Sequence, residues 1–537
     1  MQIWNGWGDE QVRMGLAPGA GALLRDRIGE GTRRRNISLE EVLKGVPLSR
    51  LPDHSLITED PKERLVHSHG QSLPDWVSLR QGGLDRFPDG VAFPTTLEEV
   101  QNLLDFAKKN DLVIIPYGGG TSVVGHLTVP ATERPVLSLS LERLNRLISV
   151  DPGSRLALFE AGVRGPDLEA QLRAHGFTLG HYPQSFEYST LGGWVATRSS
   201  GQQSSHYGSV EQLFAGGDMA TLQGMLTCPP FPSSSAGPDL RQLILGSEGR
   251  LGILVRAMVR ISPFPQRDEV WAVFFPSWSR AVAAVRSLTG AGVPYSMVRL
   301  SNAVETMTNL VLAGRERMVS LLKRYLEFRH ISDAQGCMCL IGFIGSRRQV
   351  TGARRRAFSI LRKYRGVSVG RSMGRAWKRH RFRAPYLRNT LWDMGYAVDT
   401  VETAVTWDRV TATMDAVEGA IAKSLDPRRE AVHLFSHLSH VYPTGSSIYT
   451  TFLFRVGESA EETLARWQAI KTSVSRTIVE AGGTISHQHG VGLDHRDYLE
   501  GEKGPLGIKI LEKIFDHMDP EHRMNPGKLV GGEHGET

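Results

Sequence analysis

The sequence predicts an α+β protein of two or three domains, and three observations carry that prediction. A chain of 537 residues exceeds what one hydrophobic core can organise. Three loops rich in Gly, Ser and Thr each sit beside a strand-like run, at 116–122, 184–190 and 246–252. Beyond Pro263 the texture changes, and a fresh series of strand-like and helix-like runs begins. With 40% hydrophobic and 22% charged residues the composition is ordinary for a globular chain, which excludes a fibrous or disordered one.

Residues 1–86 read as an irregular lead-in region with one short helix at 39–45. Extended chain at Val91–Phe93 leads through Pro94-Thr95-Thr96 into a helix. There Thr96 and Glu99 have capping-box spacing, and Val100, Leu103, Leu104 and Ala107 share a face. A buried strand at Leu112–Ile115 runs into the first Gly-rich loop. Strands follow at 136–140, 147–150 and 156–160, then a helix at 165–175 stopped by Gly176. An apolar, then Gly-rich, then extended stretch over 243–263 closes a first domain at 87–265. The second domain, 266–480, takes strand 270–275, helix 279–290 and strand 296–300. It resumes with helix 410–424, strands 431–435 and 447–455, and helix 460–481. A basic insertion, 347–383, interrupts it. A C-terminal segment, 481–537, ends in a helix near 506–517.

No apolar run has the length of a membrane span, and the start, MQIWNGWGDE, lacks the pattern of a signal peptide. The closing GGEHGET is neither a peroxisomal nor an endoplasmic-reticulum address. Cys228, Cys337 and Cys339 make no disulfide framework and no zinc ribbon, so the expected setting is reducing and cytoplasmic. The net charge of +7 is uneven: Arg347 to Arg383 holds fourteen Lys and Arg and no Asp or Glu. Such a block suits an anionic partner, either a membrane surface in peripheral contact or a phosphate. Its ordinary reading is a solvated surface segment. Nucleic acid is excluded as a partner by the scarcity of aromatics and the lack of a binding motif.

Pro116-Tyr117-Gly118-Gly119-Gly120-Thr121-Ser122 is neither a dinucleotide G-x-G-x-x-G nor a Walker A loop. Three successive glycines permit a nest of backbone N–H groups facing an anion, and Thr121 and Ser122 add hydroxyls. Gln184-Ser185-Phe186-Glu187-Tyr188-Ser189-Thr190 continues as LGGWVATRSSG, which contains Thr197-Arg198-Ser199-Ser200. Gly246-Ser247-Glu248-Gly249-Arg250-Leu251-Gly252 is the third loop. Three such loops suit a long ligand with a pyrophosphate. In this order and at these distances they resemble the PCMH-type FAD-binding domain of the vanillyl-alcohol-oxidase superfamily. The resemblance implies a two-lobed FAD-binding domain with an α+β cap, and FAD lined by 116–122, 184–190, 197–200 and 246–252. It also implies non-covalent FAD, since the first loop carries no His and Cys228 lies in a Pro-rich stretch.

Further motifs resemble the alkyldihydroxyacetonephosphate (alkylglycerone-phosphate) synthase family. They are Trp4-Asn5-Gly6-Trp7-Gly8, Ser296–Leu300, Pro385-Tyr386-Leu387-Arg388 before Thr406-Trp407-Asp408, Ile448-Tyr449, and Ser486-His487-Gln488-His489-Gly490-Val491-Gly492. The resemblance implies exchange of the acyl group of acyl-dihydroxyacetone phosphate for a fatty alcohol, with no net oxidation of the flavin. Arg388 then binds substrate. Arg299, Tyr449, His487 and His489 are catalytic, and no metal is expected. Guanidinium forks suit a phosphate, and His or Tyr suits a proton next to a carbonyl. Taken singly, each residue also has an ordinary reading as a salt-bridge arginine, a core tyrosine or a solvated loop histidine. Gln488 stands where that family has its middle histidine, and Gln cannot shuttle a proton. The stretch DPEHRMNPGKLV (519–530) is more similar to flavin-linked 2-hydroxy-acid dehydrogenases.

That gives a first rival, an FAD-linked D-2-hydroxy-acid dehydrogenase of the lactate or 2-hydroxyglutarate type. Its metal-binding pattern is broken here, with Ser436-His437-Leu438-Ser439 at the first site, Thr444 where a second His belongs, and Gln488 for a Glu. The pair His437 and His440 retains some binding capacity. A second rival is a non-catalytic flavoprotein-like scaffold docked on membranes through 347–383. Substrate chain length and the presence of a homodimer stay open at this level.

Overall fold

The computed structural model describes residues 3–531. All of GGEHGET after its first glycine, and Met1-Gln2 of the N-terminal reading, lie outside the described residues. Within them the strands form three sheets of four, five and seven strands and one two-stranded pair. The four-stranded sheet runs Ile57–Thr58, Gly90–Ala92, Val136–Ser140, Val113–Tyr117, its last three strands parallel. The five-stranded sheet is antiparallel: Leu147–Asp151, Leu156–Glu160, Ile253–Arg260, Phe214–Thr221, Gly224–Cys228. These two sheets are the two lobes expected of the cofactor domain.

Helix Leu97–Lys109 buries Val100, Leu103, Leu104 and Ala107, the face expected from the 3.6-residue period. Thr96 caps it by accepting from the Glu99 N–H. The reciprocal half of the expected box is absent, because the Glu99 carboxylate accepts instead from the Thr95 N–H at 2.6 Å.

The seven-stranded antiparallel sheet is the centre of the cap. Its order is Val367–Gly370, Arg267–Phe275, Cys337–Gly345, Met297–Ser301, His433–Leu438, Gly445–Arg455, Tyr396–Thr406. The expected interruption at 347–383 does not occur. Helix Arg347–Lys363 opens on a Ser346/Gln349 capping box and buries Val350, Ala353, Ala357 and Leu361. Strand Val367–Gly370 then completes one edge of the sheet. The charge of this run is also partly compensated from outside it: Arg371 binds Glu269 at 2.9 Å, Arg354 approaches Glu269 at 3.7 Å, and Lys378 pairs with Asp268.

The lead-in is more ordered than expected. Helices Pro18–Ile28, Pro61–Val66 and Leu73–Gln81 join Leu39–Lys44. Trp7, Leu73, Trp76 and Val77 share one core with Phe159 and Trp194 of the cofactor domain and Phe452 and Trp467 of the cap. The last helix, Glu500–Met518, is kinked at Gly504, where φ is +70°. Among the described residues no helix is long and apolar enough to cross a membrane. All three cysteines are buried and unpaired.

Candidate active site

A cavity of about 530 Å³ opens between the cofactor lobes and one face of the seven-stranded sheet. That is the size of site which encloses a small organic ligand. All of 116–122 lines it, together with Gln184, Ser185, Ser189, Thr190, Thr197, Ser199, Ser200, Ser247, Glu248, Gly249 and Gly252. The glycines serve close approach. A Cβ on Gly119 would collide with the Tyr188 carbonyl, and Gly120 has φ of +68°. Thr190 caps the short helix Leu191–Ala196 by accepting from the Gly193 N–H. Glu248, itself at φ +51°, accepts from the Val491 N–H at 2.6 Å and the Gly492 N–H at 2.9 Å. It thereby fastens the third cofactor loop to the C-terminal histidine loop.

The rest of the predicted cofactor set does not line the cavity. Phe186 stacks on Phe382 at 4.8 Å, Glu187 accepts from the Tyr386 hydroxyl, and the Tyr188 hydroxyl lies 3.1 Å from that of Tyr386. These three hold the cap segment 382–386 in place. Arg198 faces a neighbouring pocket beside Gln242 and Glu211. Gly246 supports it with a positive φ. Arg250 is buried over the Phe515 ring, and Leu251 is core. Proximity in sequence to a ligand loop thus does not put these flanking residues on the ligand; they brace the loop instead.

The donor set fits FAD. Ser247 Oγ, Gln202 Oε1 and Asn525 Oδ1 belong to residues that line the cavity, are buried and have no protein partner. Buried polar atoms of this kind need a partner, and a ligand with a pyrophosphate and ribityl hydroxyls provides one. Cys228 ends a strand and does not line the cavity.

The cap supplies the opposite wall. Arg299 Nη2 donates to Glu305 Oε1 at 2.6 Å and lies 3.3 Å from His437 Nδ1, which is 3.2 Å from the same carboxylate. Burial alone would raise the Glu305 pKa, but His437 and Arg299 hold its carboxyl well below the usual range. His437 lies against Tyr449, ring centroids 5.0 Å apart, and His489 meets Tyr449 edge-on at 5.8 Å. The Tyr449 hydroxyl donates to Thr400 Oγ1 at 3.2 Å. Burial, reinforced by the Glu402 carboxylate, pushes its pKa up.

Arg388 Nη1 donates to the Gln71 carbonyl at 2.7 Å, and its guanidinium sits 4.2 Å over the Trp76 ring. Its Nη2 is buried without a partner, and burial brings its pKa down to about 10. An arginine in this condition is a cation awaiting an anion. The structure therefore brings Arg299, Arg388, Tyr449 and His489 onto one cavity. It does not bring His487 there. His487 lines the neighbouring pocket, its Nε2 2.7 Å from the Tyr442 hydroxyl and its ring against His440. In the tight loop 486–490 alternate residues leave on different sides.

Glu305 on the cavity wall and Glu402 beside His489 carry no motif that marks them in the sequence. Glu305 follows the Asn302 cap of helix Ala303–Leu312. Glu402 lies mid-strand in Tyr396–Thr406, opposite Tyr449. A Glu in a β-branched run is the available signal for Glu402, since an unpaired buried Glu is rare.

Known proteins are similar to this chain over most of its length. Residues 88–228 match the family described as "FAD binding domain", and 264–529 match "FAD linked oxidases, C-terminal domain". The alkyldihydroxyacetonephosphate synthase of Dictyostelium discoideum is 32% identical over 486 residues, 89% of this chain and 79% of that protein. The Trypanosoma brucei brucei protein of the same name is 29% identical over 92% of this chain and 83% of its own length. A solved structure of an alkyldihydroxyacetonephosphate synthase superposes with a TM-score of 0.85 at 28% identity, covering 98% of this chain and 99% of that one. The chain belongs to the alkyldihydroxyacetonephosphate synthase family of FAD-binding enzymes.

Proposed function

We propose that the protein exchanges the acyl group of an acyl-dihydroxyacetone phosphate for a fatty alcohol, forming an ether-lipid precursor. The observation that carries this reading is one cavity with three chemically distinct walls. One is the set of cofactor loops, and one is the cluster of Arg299, Arg388, Tyr449 and His489. The third is an apolar end made by Leu16, Ala20, Leu23, Leu24, Val311 and Leu312. FAD, when bound, supplies an electron-accepting ring beside the three-carbon unit. Arg388 takes the phosphate on its unpartnered Nη2. Arg299, fixed by Glu305, lies alongside. Tyr449 gives and takes the proton next to the carbonyl, supported by His489. The apolar end receives the aliphatic chain, where each buried methylene contributes about 0.8 kcal/mol.

A lipid substrate calls for a membrane-facing surface. Helix Glu316–Phe328 follows the helix that walls the apolar end. It turns Leu322 and Leu326 toward the sheet and leaves Met318, Leu321, Tyr325 and Phe328 exposed. Arg317, Arg324 and Arg329 flank that stripe. On the same face lies the later part of the basic run, 367–383, whose Met373 and Trp377 pack in the same cluster as Leu322 and Leu326, whereas helix Arg347–Lys363 packs on the opposite face of the sheet. Peripheral contact with an anionic bilayer follows from this pairing of apolar stripe and cations, each cation contributing about 1 kcal/mol near such a surface.

The deciding test gives the FAD-loaded protein acyl-dihydroxyacetone phosphate and a labelled fatty alcohol. Label is expected in an ether product. Failure of labelling, with rapid flavin bleaching by D-lactate or D-2-hydroxyglutarate, would establish the dehydrogenase in its place.

A further inference from the structure

Glu402 takes no part in the steps proposed so far and does not itself line the cavity; it is a buried carboxylate beside His489, which does. Only 3% of the residue is exposed. Its Oε1 accepts from the backbone N–H of Gln488 and of His489, each at 2.7 Å, and from Ser486 Oγ at 3.3 Å. The same oxygen lies 3.4 Å from His489 Nδ1. Oε2 is buried and has no protein partner. Cross-strand pairing puts Glu402 directly opposite Tyr449, whose ring meets His489 edge-on. Carboxylate, imidazole and phenol thus stand in sequence, held by a strand pair on one side and a tight loop on the other.

We infer that Glu402 is the positioning residue of the proton-transfer group: it fixes His489 as the Nδ1–H tautomer and so leaves Nε2 as the lone-pair nitrogen for exchange with Tyr449. The inference rests on the proposed roles of Tyr449 and His489. An imidazole free to rotate presents either nitrogen. A carboxylate beside Nδ1 removes that choice and stabilises the imidazolium formed when Nε2 receives a proton. The step balances simply: the Tyr449 hydroxyl hydrogen passes to His489 Nε2, the O–H bond breaks and an N–H bond forms. Glu402 keeps Nδ1–H throughout and is not itself protonated. The same carboxylate explains how a loop with Gln488 in its middle retains its shape. Its contact there is to the Gln488 backbone, which any residue supplies.

A double-mutant cycle tests this on the FAD-loaded protein. Glu402→Gln keeps an oxygen for the backbone donors and removes only the charge. It is expected to retain flavin and the KM for the phosphorylated substrate while kcat falls roughly a hundredfold. His489→Ala should fall at least as far, and adding Glu402→Gln to it should cost almost nothing more. Multiplicative losses in the double variant, or a Glu402→Gln enzyme with unchanged kcat, would overturn the inference. If His489→Ala alone left turnover intact, the role given to His489 would fail first. Glu402→Asp, which retracts the charge by one methylene, runs the same cycle should the Gln variant not hold flavin.

Discussion

Tyr449 offers a single exchangeable proton, on an oxygen that donates to Thr400 Oγ1, and its ring is flanked by two imidazoles. Tyr449→Phe keeps the ring between His437 and His489 and deletes only that oxygen. Turnover is expected to fall by roughly two to four orders of magnitude with the flavin spectrum unchanged; near-normal turnover would remove Tyr449 from the chemistry. Arg388→Lys replaces a fork over Trp76 by a point charge. KM for the phosphorylated substrate should rise roughly ten- to a hundredfold while kcat changes little. Steady-state kinetics separates the two effects, and an unchanged KM would move the phosphate elsewhere. These residues are legible in the sequence because each sits in a motif whose neighbours are also constrained. His487 shares such a motif and still turns away toward Tyr442. Side-chain direction in a loop depends on contacts far along the chain, so the motif alone does not separate it from His489.

Helix Glu316–Phe328 shows how an element acquires a function that its residues lack singly. Met318, Leu321, Tyr325 and Phe328 recur at helical spacing on its outer side while Leu326 is buried on its inner side. A double Leu321→Asp, Phe328→Asp variant should pellet far less with anionic liposomes than the parent. It should keep its turnover of detergent-dispersed substrate. Equal pelleting of both proteins would dissociate this helix from the membrane. The long strand Tyr396–Thr406, which carries Glu402 and Thr400, is not among the elements expected from the sequence. It follows a run dense in arginine, and its polar side chains mask the strand signal. The helix at 347–363 is masked similarly, because its buried stripe is made of small residues among arginines. Its Arg354 pairs with Glu269, about eighty-five residues earlier.

For the whole molecule, burial of histidines sets the acid limit. His67, His433 and His440 are lowered to about 4 and His181 to about 3, each chiefly by burial. Folded, they bind protons only far below their unfolded range. The unfolded chain therefore takes up more protons between about pH 6.5 and 4, and stability falls across that window as pH drops. Each histidine contributes about 1.4 kcal/mol to that fall for every tenfold by which folding weakens its proton affinity. Asp494, raised to about 7 by burial, opposes this by stabilising the fold as pH falls below 7, as do the raised Glu63, Glu169 and Glu418, but the lowered histidines, with His69, His206, His437, His487 and His495 added, outnumber them. Thermal melts of the FAD-loaded protein should show Tm dropping steadily from pH 6.5 to 4; a flat profile would contradict the assignment. The α+β class, the cofactor loops and most of the strand and helix order are legible in the order of the amino acids. Those rest on local spacing: glycine where backbone must approach a ligand, and apolar residues at periods of two or 3.6. Tertiary structure alone decided that the lead-in grips Arg388 through Gln71 and Trp76, that the basic run completes the cap sheet, and that Glu402 faces the His489 loop. Each of these joins residues from about eighty to more than three hundred positions apart. No local pattern encodes such a meeting, because it is selected by the burial and polar pairing of the assembled chain.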